Sequence, residues 1–245
     1  MAKPSKDADR RAIVEQMRRE QQLKERRKSL MVLGAAVLVG AMIIGVAVWQ
    51  FMKAESSSAG GLEGIGTAAA EAGCQEVVAR KAEGNNDHRP DGEKILYPQA
   101  PPATGPHWGT FLQGAQIRKL YTTDDRPAVE QLLHSVEHGH TILWYDEAIA
   151  DDDAAMDELE ALARKFPSNT DFTDKFIAAP WTSEDGEAFP GDTHVALTHW
   201  SMGGTNGNPE GQQGITQYCE DVSGEAVEEF MADYPYSDSP EPEAP

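Results

Sequence analysis

The segment HSVEHGH, residues 134–140, holds three of the seven histidines of this chain together with one carboxylate. His134 and His138 are four residues apart, and on an α-helix this spacing places two side chains on one face, one turn apart. Two imidazoles at this spacing can bind one metal ion, as they do in helix-borne zinc sites. Because imidazole suits copper and zinc alike, the segment predicts a copper or zinc site.

Two histidines upstream are candidates for the remaining ligands. His107 ends the turn-rich sequence PPATGPH, and His88 precedes that stretch. A metal-bound imidazole must be deprotonated, so acidification to about pH 5 is expected to release the ion.

Two other interpretations of the histidines are open. The residues His134, Glu137 and His138 also match the inverted zinc-protease motif H-x-x-E-H, in which the glutamate is the general base. A third ligand on a distant helix is not evident, so the pattern favours a binding protein over an enzyme. Alternatively, the histidines form a hydrogen-bonded structural network without metal, and the acidic surface binds a membrane or envelope protein.

The elements that carry these residues indicate an α+β fold. A helix is predicted over 127–138, with Asp124 or Asp125 as its cap and Gly139 at its end. Further helices are expected over 153–165 and 224–233. Strands are expected within 140–146, 175–181, 193–200 and 214–220. The elements alternate without a regular βαβ repeat, which favours α+β over a parallel α/β fold.

The N-terminal part of the chain predicts a membrane anchor. Residues 30–51 form an uncharged apolar run, and about 20 such residues are enough to cross a bilayer as a helix. We therefore expect a transmembrane signal anchor over 29–53. The basic cluster KERRK at 24–28 places residues 1–28, a basic helical segment, in the cytoplasm. The bilayer is then one partner, and no nucleic-acid-binding module is recognisable.

The remaining chain is expected outside the cytoplasm. It is strongly acidic, with thirty-six Asp and Glu against ten Lys and Arg over 54–245. Residues 54–72 are predicted to be a flexible linker, 73–233 the folded extracytoplasmic domain, and 234–245 an acidic disordered tail. Cys74 and Cys219 lie near the two ends of the domain, and a lone pair in an exported domain favours a disulfide.

Several motifs in fixed order resemble a known family. They are His88, PPATGPH (101–107), HSVEHG followed by TILWY, APW (179–181) and ALTHW (196–200). Together they resemble the actinobacterial single-pass membrane proteins of the domain-of-unknown-function family numbered 3105. The resemblance implies no activity, and it maps the family's histidines onto His88, His107, His134 and His138, with Glu137. It thereby implies a copper or zinc site formed by His107, His134 and His138, with His88 or Glu137 completing or supporting the coordination shell. It lends no support to a metal-binding role for His140, His199 or Met202.

Overall fold

The computed structural model describes residues 61–84, 86–203 and 211–245. These residues belong to one compact unit. The anchor predicted over 29–53, the segment 1–28 and the first part of the predicted linker lie outside the described residues. In the described ranges, every helix is too short or too polar to cross a bilayer.

A five-stranded mixed sheet forms the centre of the domain. Its strand order is β1-β7-β6-β4-β5, with a parallel β4–β5 pair and antiparallel pairs elsewhere. A separate parallel ribbon pairs β2 with β3. The strands are β1 (Val78–Lys81), β2 (His88–Arg89), β3 (His107–Trp108), β4 (Thr141–Tyr145), β5 (Phe176–Pro180), β6 (Val195–Ser201) and β7 (Gln213–Cys219).

Helices cover both faces of this sheet. Helix α1 packs on one face, and the other three pack on the opposite face. Asp146, Asp152 and Ser223 cap the last three, because each side chain accepts hydrogen bonds from first-turn amides. The helices are α1 (Val129–Glu137), α2 (Glu147–Ala150), α3 (Asp153–Ala163) and α4 (Gly224–Asp233).

The buried interior strand β4 contributes side chains to both cores. Ile142 and Trp144 point towards α1, whereas Leu143 and Tyr145 point towards α3 and α4. All four side chains are almost completely buried, as expected for a strand covered on both faces. The continuous burial of β4 therefore reflects a sheet between two helical layers.

The predicted α+β class is confirmed, and the helices and strands predicted from the sequence are present. The helix that carries the histidines begins at Val129, two residues later than predicted. Asp125, one of the two predicted caps, instead accepts a hydrogen bond from the amide of Thr122. Ala128 occupies the N-cap position.

The start of the folded domain differs from the prediction. Residues 61–72 were expected to belong to a flexible linker, but Ile65 and Ala72 are buried in this structure. The amide of Thr67 donates to the carbonyl of Val222, and Gly66 forms a bridge with Ser223. This segment is thus packed against the start of α4, because its few apolar residues fill gaps beside that helix.

The acidic tail also differs from the prediction. Composition predicts disorder over 234–245, whereas the structure has a short 3-10 helix, Tyr236–Asp238, and a buried Ser239. The amino group of Lys175 donates to the carbonyl oxygens of Pro242 and Ala244, at 2.8 and 2.7 Å. The buried Lys175 cation therefore holds this segment by its backbone carbonyl groups, although the side chains of the segment could not form a core.

The predicted disulfide is present. Cys74 and Cys219 are bonded, and they are 145 residues apart in sequence. The bond joins the segment that precedes β1 to the end of β7. It closes a loop that contains β1 to β7 and all residues of the candidate site described below.

Gly139 ends α1 with a φ of 94°, and a Cβ here would lie 2.7 Å from the oxygen of Tyr236. Gly92 has a similar φ of 87° but open space around it. Gly92→Ala should cost about 1–2 kcal/mol of stability through the left-handed backbone alone. Gly139→Ala should cost about 1–3 kcal/mol more, because the tail obstructs the methyl group. Urea unfolding of both variants tests this difference, and equal costs would contradict the close packing of the tail.

Candidate metal centre

Three histidines and one glutamate meet between the two-stranded ribbon and α1. His88 in β2 is paired in register with His107 in β3. His134 and Glu137 lie on the last turns of α1, three residues apart, so both can face the ribbon. One potential ligand atom from each of these four residues lies within 4.8 Å of every other. We call this set the His3Glu cluster.

The distances within the cluster suit a small ion. The Nε2 atom of His107 lies 3.0 Å from Oε2 of Glu137, and Nε2 of His88 lies 3.8 Å from the same oxygen. Ligands at 2.0–2.1 Å in a tetrahedral zinc site are about 3.4 Å apart. The two separations from Oε2 of Glu137 lie on either side of this value, and all pairs in the cluster lie within 4.8 Å.

Backbone carbonyl groups orient two of the imidazoles. Nδ1 of His107 donates to the carbonyl of Gly105 at 2.8 Å, and Nδ1 of His134 donates to the carbonyl of Trp108 at 2.7 Å. A carbonyl oxygen can only accept, so in both rings the proton sits on Nδ1. This tautomer leaves the Nε2 lone pair available, which is the usual arrangement of a metal-binding histidine and its supporting carbonyl.

Two buried atoms of the cluster lack hydrogen bonds. With the proton of His107 on Nδ1, Nε2 of His107 and Oε2 of Glu137 face each other as two acceptors 3.0 Å apart, and neither has another hydrogen-bond partner among the described residues. Buried polar atoms almost always have a partner, and an unpaired one calls for an explanation such as an ion. The donor set, with three imidazoles and one carboxylate, fits zinc or copper.

The protonation states also suit metal binding. Burial, together with the neighbouring His107 and His138, lowers the pKa of His134 to about 4. Burial would raise the pKa of Glu137, but contact with His107 outweighs it and holds this pKa below its ordinary value. Near neutral pH the cluster therefore contains a neutral imidazole at His134 and a carboxylate at Glu137, the forms that bind cations.

The cluster is open to solvent on one side. The side chain of His88 is 43% exposed, whereas those of His107 and Glu137 are 0% and 1% exposed. The ring of Trp200 packs edge-on against that of His107, with 5.9 Å between the ring centroids, and closes the inner side of the cluster. An ion could thus reach the buried ligands past His88.

His138, predicted as a ligand, lies beside the His3Glu cluster and is not part of it. The centroid of its ring lies 4.6 Å from that of His134, and Phe111 packs against both rings. Nδ1 of His138 donates to the oxygen of Pro245 at 2.9 Å, and Nε2 lies 3.4 Å from a carboxylate oxygen of Glu241. Both nitrogens of this ring therefore face the tail.

The other histidines lie apart from the His3Glu cluster. His140 donates to the carbonyl of Ser135, and burial lowers its pKa to about 3. His194 pairs with Asp146 at 2.8 Å on the surface. His199 is buried in the sheet near Tyr234, and burial lowers its pKa to about 4. Neither ring nitrogen of His199 has a hydrogen-bond partner among the described residues, but His199 belongs to no cluster of potential metal ligands there.

The arrangement differs from the zinc-protease motif that the sequence also matches. That motif uses both histidines of H-x-x-E-H as ligands and keeps the glutamate free as a base. Here Glu137 belongs to the potential ligand set and His138 does not. The geometry thus supports ion binding by Glu137 better than base catalysis by it.

A family profile described as "Protein of unknown function (DUF3105)" matches residues 88–245. The chain belongs to this family. The resemblance drawn from the motifs is confirmed at the level of the DUF3105 family, and the match begins at His88, so it contains all four residues of the His3Glu cluster. Comparisons with curated proteins and with solved structures gave no significant match.

Sequence reasoning missed the groups around the cluster. The carbonyl groups of Gly105 and Trp108 carry no side-chain signature, although both residues lie within two positions of His107. Lys175 was also missed, and its only signal is a charged residue at the head of the buried strand β5. Trp200 was assigned to a strand but not to the site.

The lowered pKa of His134 predicts acid sensitivity in the metal-free protein. As the pH falls, the unfolded chain protonates this residue near its ordinary pKa of 6.5, whereas the folded chain resists protonation down to about pH 4. Between pH 7 and 5 this difference removes about 2 kcal/mol of stability. His134→Gln should therefore show a smaller loss of stability than the parent over this range.

Urea unfolding with a chelator present, at pH 7 and at pH 5, measures this loss. His194→Gln is the matched control, because His194 is half-exposed and pairs with Asp146 away from the His3Glu cluster. An identical pH dependence in the parent and in His134→Gln would contradict a buried, neutral imidazole at this position.

Proposed function

We propose that this protein is a membrane-anchored, extracytoplasmic metal-binding protein that holds copper or zinc in the His3Glu cluster. His107, His134 and Glu137 would supply buried ligands, and His88 would complete the shell at the open side. The role would be metal handling, or assembly of a metalloprotein, in the cell envelope.

The contact between His107 and Glu137 carries this proposal. Two buried polar atoms lie 3.0 Å apart without a hydrogen bond, and two further histidines bring potential ligand atoms within 4.8 Å. Leaving a buried polar group unsatisfied costs about 1–3 kcal/mol. An ion between the two atoms would satisfy both, and it would explain why a folded domain keeps them together.

The proposed location is supported by the sequence and by the disulfide. The uncharged run over 30–51 and the basic cluster before it favour an anchor with a cytoplasmic N-terminus. The Cys74–Cys219 bond fits an oxidising compartment outside the cytoplasm. In this arrangement the lipid bilayer and a second envelope protein are the proposed partners.

Metal content is the direct test. The full-length chain is expressed without a His tag, purified in mild detergent without chelators, and analysed by elemental mass spectrometry. We expect one copper or zinc ion per chain, because the His3Glu cluster offers four ligands to one ion. His107→Ala and His134→Ala should lose this ion.

His194→Ala is the control, since His194 lies outside the cluster, and it should retain the full metal content. A parent chain that stays empty after incubation with copper and with zinc would refute metal binding. The cluster would then be a hydrogen-bonded structural network, and the search would turn to a protein partner.

Glu137→Gln tests the carboxylate. The amide has almost the same shape but no charge, so zinc affinity should fall by about 10–100-fold or more, the range seen when even a supporting partner of a metal ligand is removed. Glu130→Gln is the matched control, because Glu130 is buried on the same helix and accepts a hydrogen bond from Ile95 instead. Competition titration with a chromophoric chelator measures both affinities. Unchanged affinity in Glu137→Gln would remove Glu137 from the ligand set.

A further inference from the structure

The last part of the acidic tail, residues 239–245, lies beside the His3Glu cluster and contacts the end of α1 directly. The amide of Glu241 donates to the carbonyl of Glu137 at 3.1 Å. The oxygen of Pro245 accepts from Nδ1 of His138, and the Glu241 carboxylate lies 3.4 Å from Nε2 of the same ring. One residue of the cluster and its neighbour in sequence are therefore both in contact with the tail.

Lys175 attaches this tail to the domain. Its buried amino group donates to three carbonyl oxygens, of His138 at 2.7 Å, Pro242 at 2.8 Å and Ala244 at 2.7 Å. The rings of Phe172 and Tyr236 lie over the same cation, with Nζ 4.4 and 5.6 Å from their centroids. The Lys175 side chain thus links the end of α1 to the tail, and a substitution of Lys175 would weaken the binding of the tail to α1.

His138 lies close enough to His134 to be a metal ligand, but both of its ring nitrogens already contact the tail. It follows His134 by one helical turn, and the two ring centroids are 4.6 Å apart. Each of its nitrogens faces a tail group, so a metal ion could reach one only if that group moved away. The spacing of four residues on α1 that predicts a shared ion remains available once the tail is displaced.

We propose that His138 is a reserve metal ligand that the tail masks. This inference rests on the proposed metal site. With the tail bound, the ion is held by the His3Glu cluster alone. With the tail displaced, the imidazole of His138 turns towards His134 and joins the shell, so that metal is bound more tightly. Because binding couplings are reciprocal, metal in this second arrangement also disfavours the return of the tail.

The test measures zinc affinity by chelator competition in the full-length chain and in a chain lacking residues 240–245. Both are also prepared with His138→Ala. We expect the deletion to tighten binding by a factor within the usual range for coupled sites, roughly 5–150-fold. His138→Ala should abolish this gain in the deleted chain and leave zinc affinity nearly unchanged in the intact chain.

A second variant covers the case in which the deletion impairs folding. Lys175→Met should weaken tail binding while keeping every residue of the tail, and it should tighten zinc binding in the same direction. Lys94→Met is its control, because Lys94 donates to Glu184 on the surface and does not contact the tail. Circular dichroism verifies that each variant is folded.

The outcomes separate this inference from the proposed function. Equal zinc affinity in intact, deleted and Lys175→Met chains would overturn the reserve-ligand role of His138 alone. Tightening that persists in His138→Ala would also overturn it. If zinc and copper bind to none of these chains, the metal site itself is refuted, and this inference with it.

Discussion

Hydrogen bonds from imidazole Nδ1 atoms to backbone carbonyl groups determine what the histidines of this protein can do. Gly105 and Trp108 provide the carbonyl groups for His107 and His134. Both lie within two residues of His107, so one short segment orients a ring in β3 and a ring on α1. The ring orientations, the free Nε2 atoms and the contact with Glu137 all follow from these two bonds. The fold contributes by holding β3 against α1, with Trp200 behind His107.

Much of this arrangement could be predicted from the sequence because it depends on local patterns. The largely apolar run of β4 is one such pattern, and the Asp152 and Ser223 side chains at the starts of α3 and α4 are others. The spacing of His134 and Glu137 on α1 is another. The contributions of His88 and His107 could be expected only through their place in a recognisable order of motifs. Their meeting in a parallel ribbon depends on pairing between strands of two residues each, which have no periodicity to detect.

The tail shows why the rest could not be predicted. Composition indicates whether side chains can form a core, and by that criterion residues 234–245 should be disordered. The structure instead binds this segment through its backbone, by one lysine and by the carbonyl of Glu137. Main-chain groups are present in every sequence, so no residue type marks where such binding occurs. The same reasoning explains the packed start of the domain, where the amide of Thr67 bonds to Val222.

The disulfide has a mechanical consequence. Cys74 and Cys219 enclose residues 75–218, and this range contains the whole His3Glu cluster. If the chain is pulled from a point before Cys74 and from a point after Cys219, the load passes through the sulfur–sulfur bond and bypasses the enclosed loop. A domain tethered at one side and engaged by a partner at the other could therefore bear tension without stretching the segments that position its ligands.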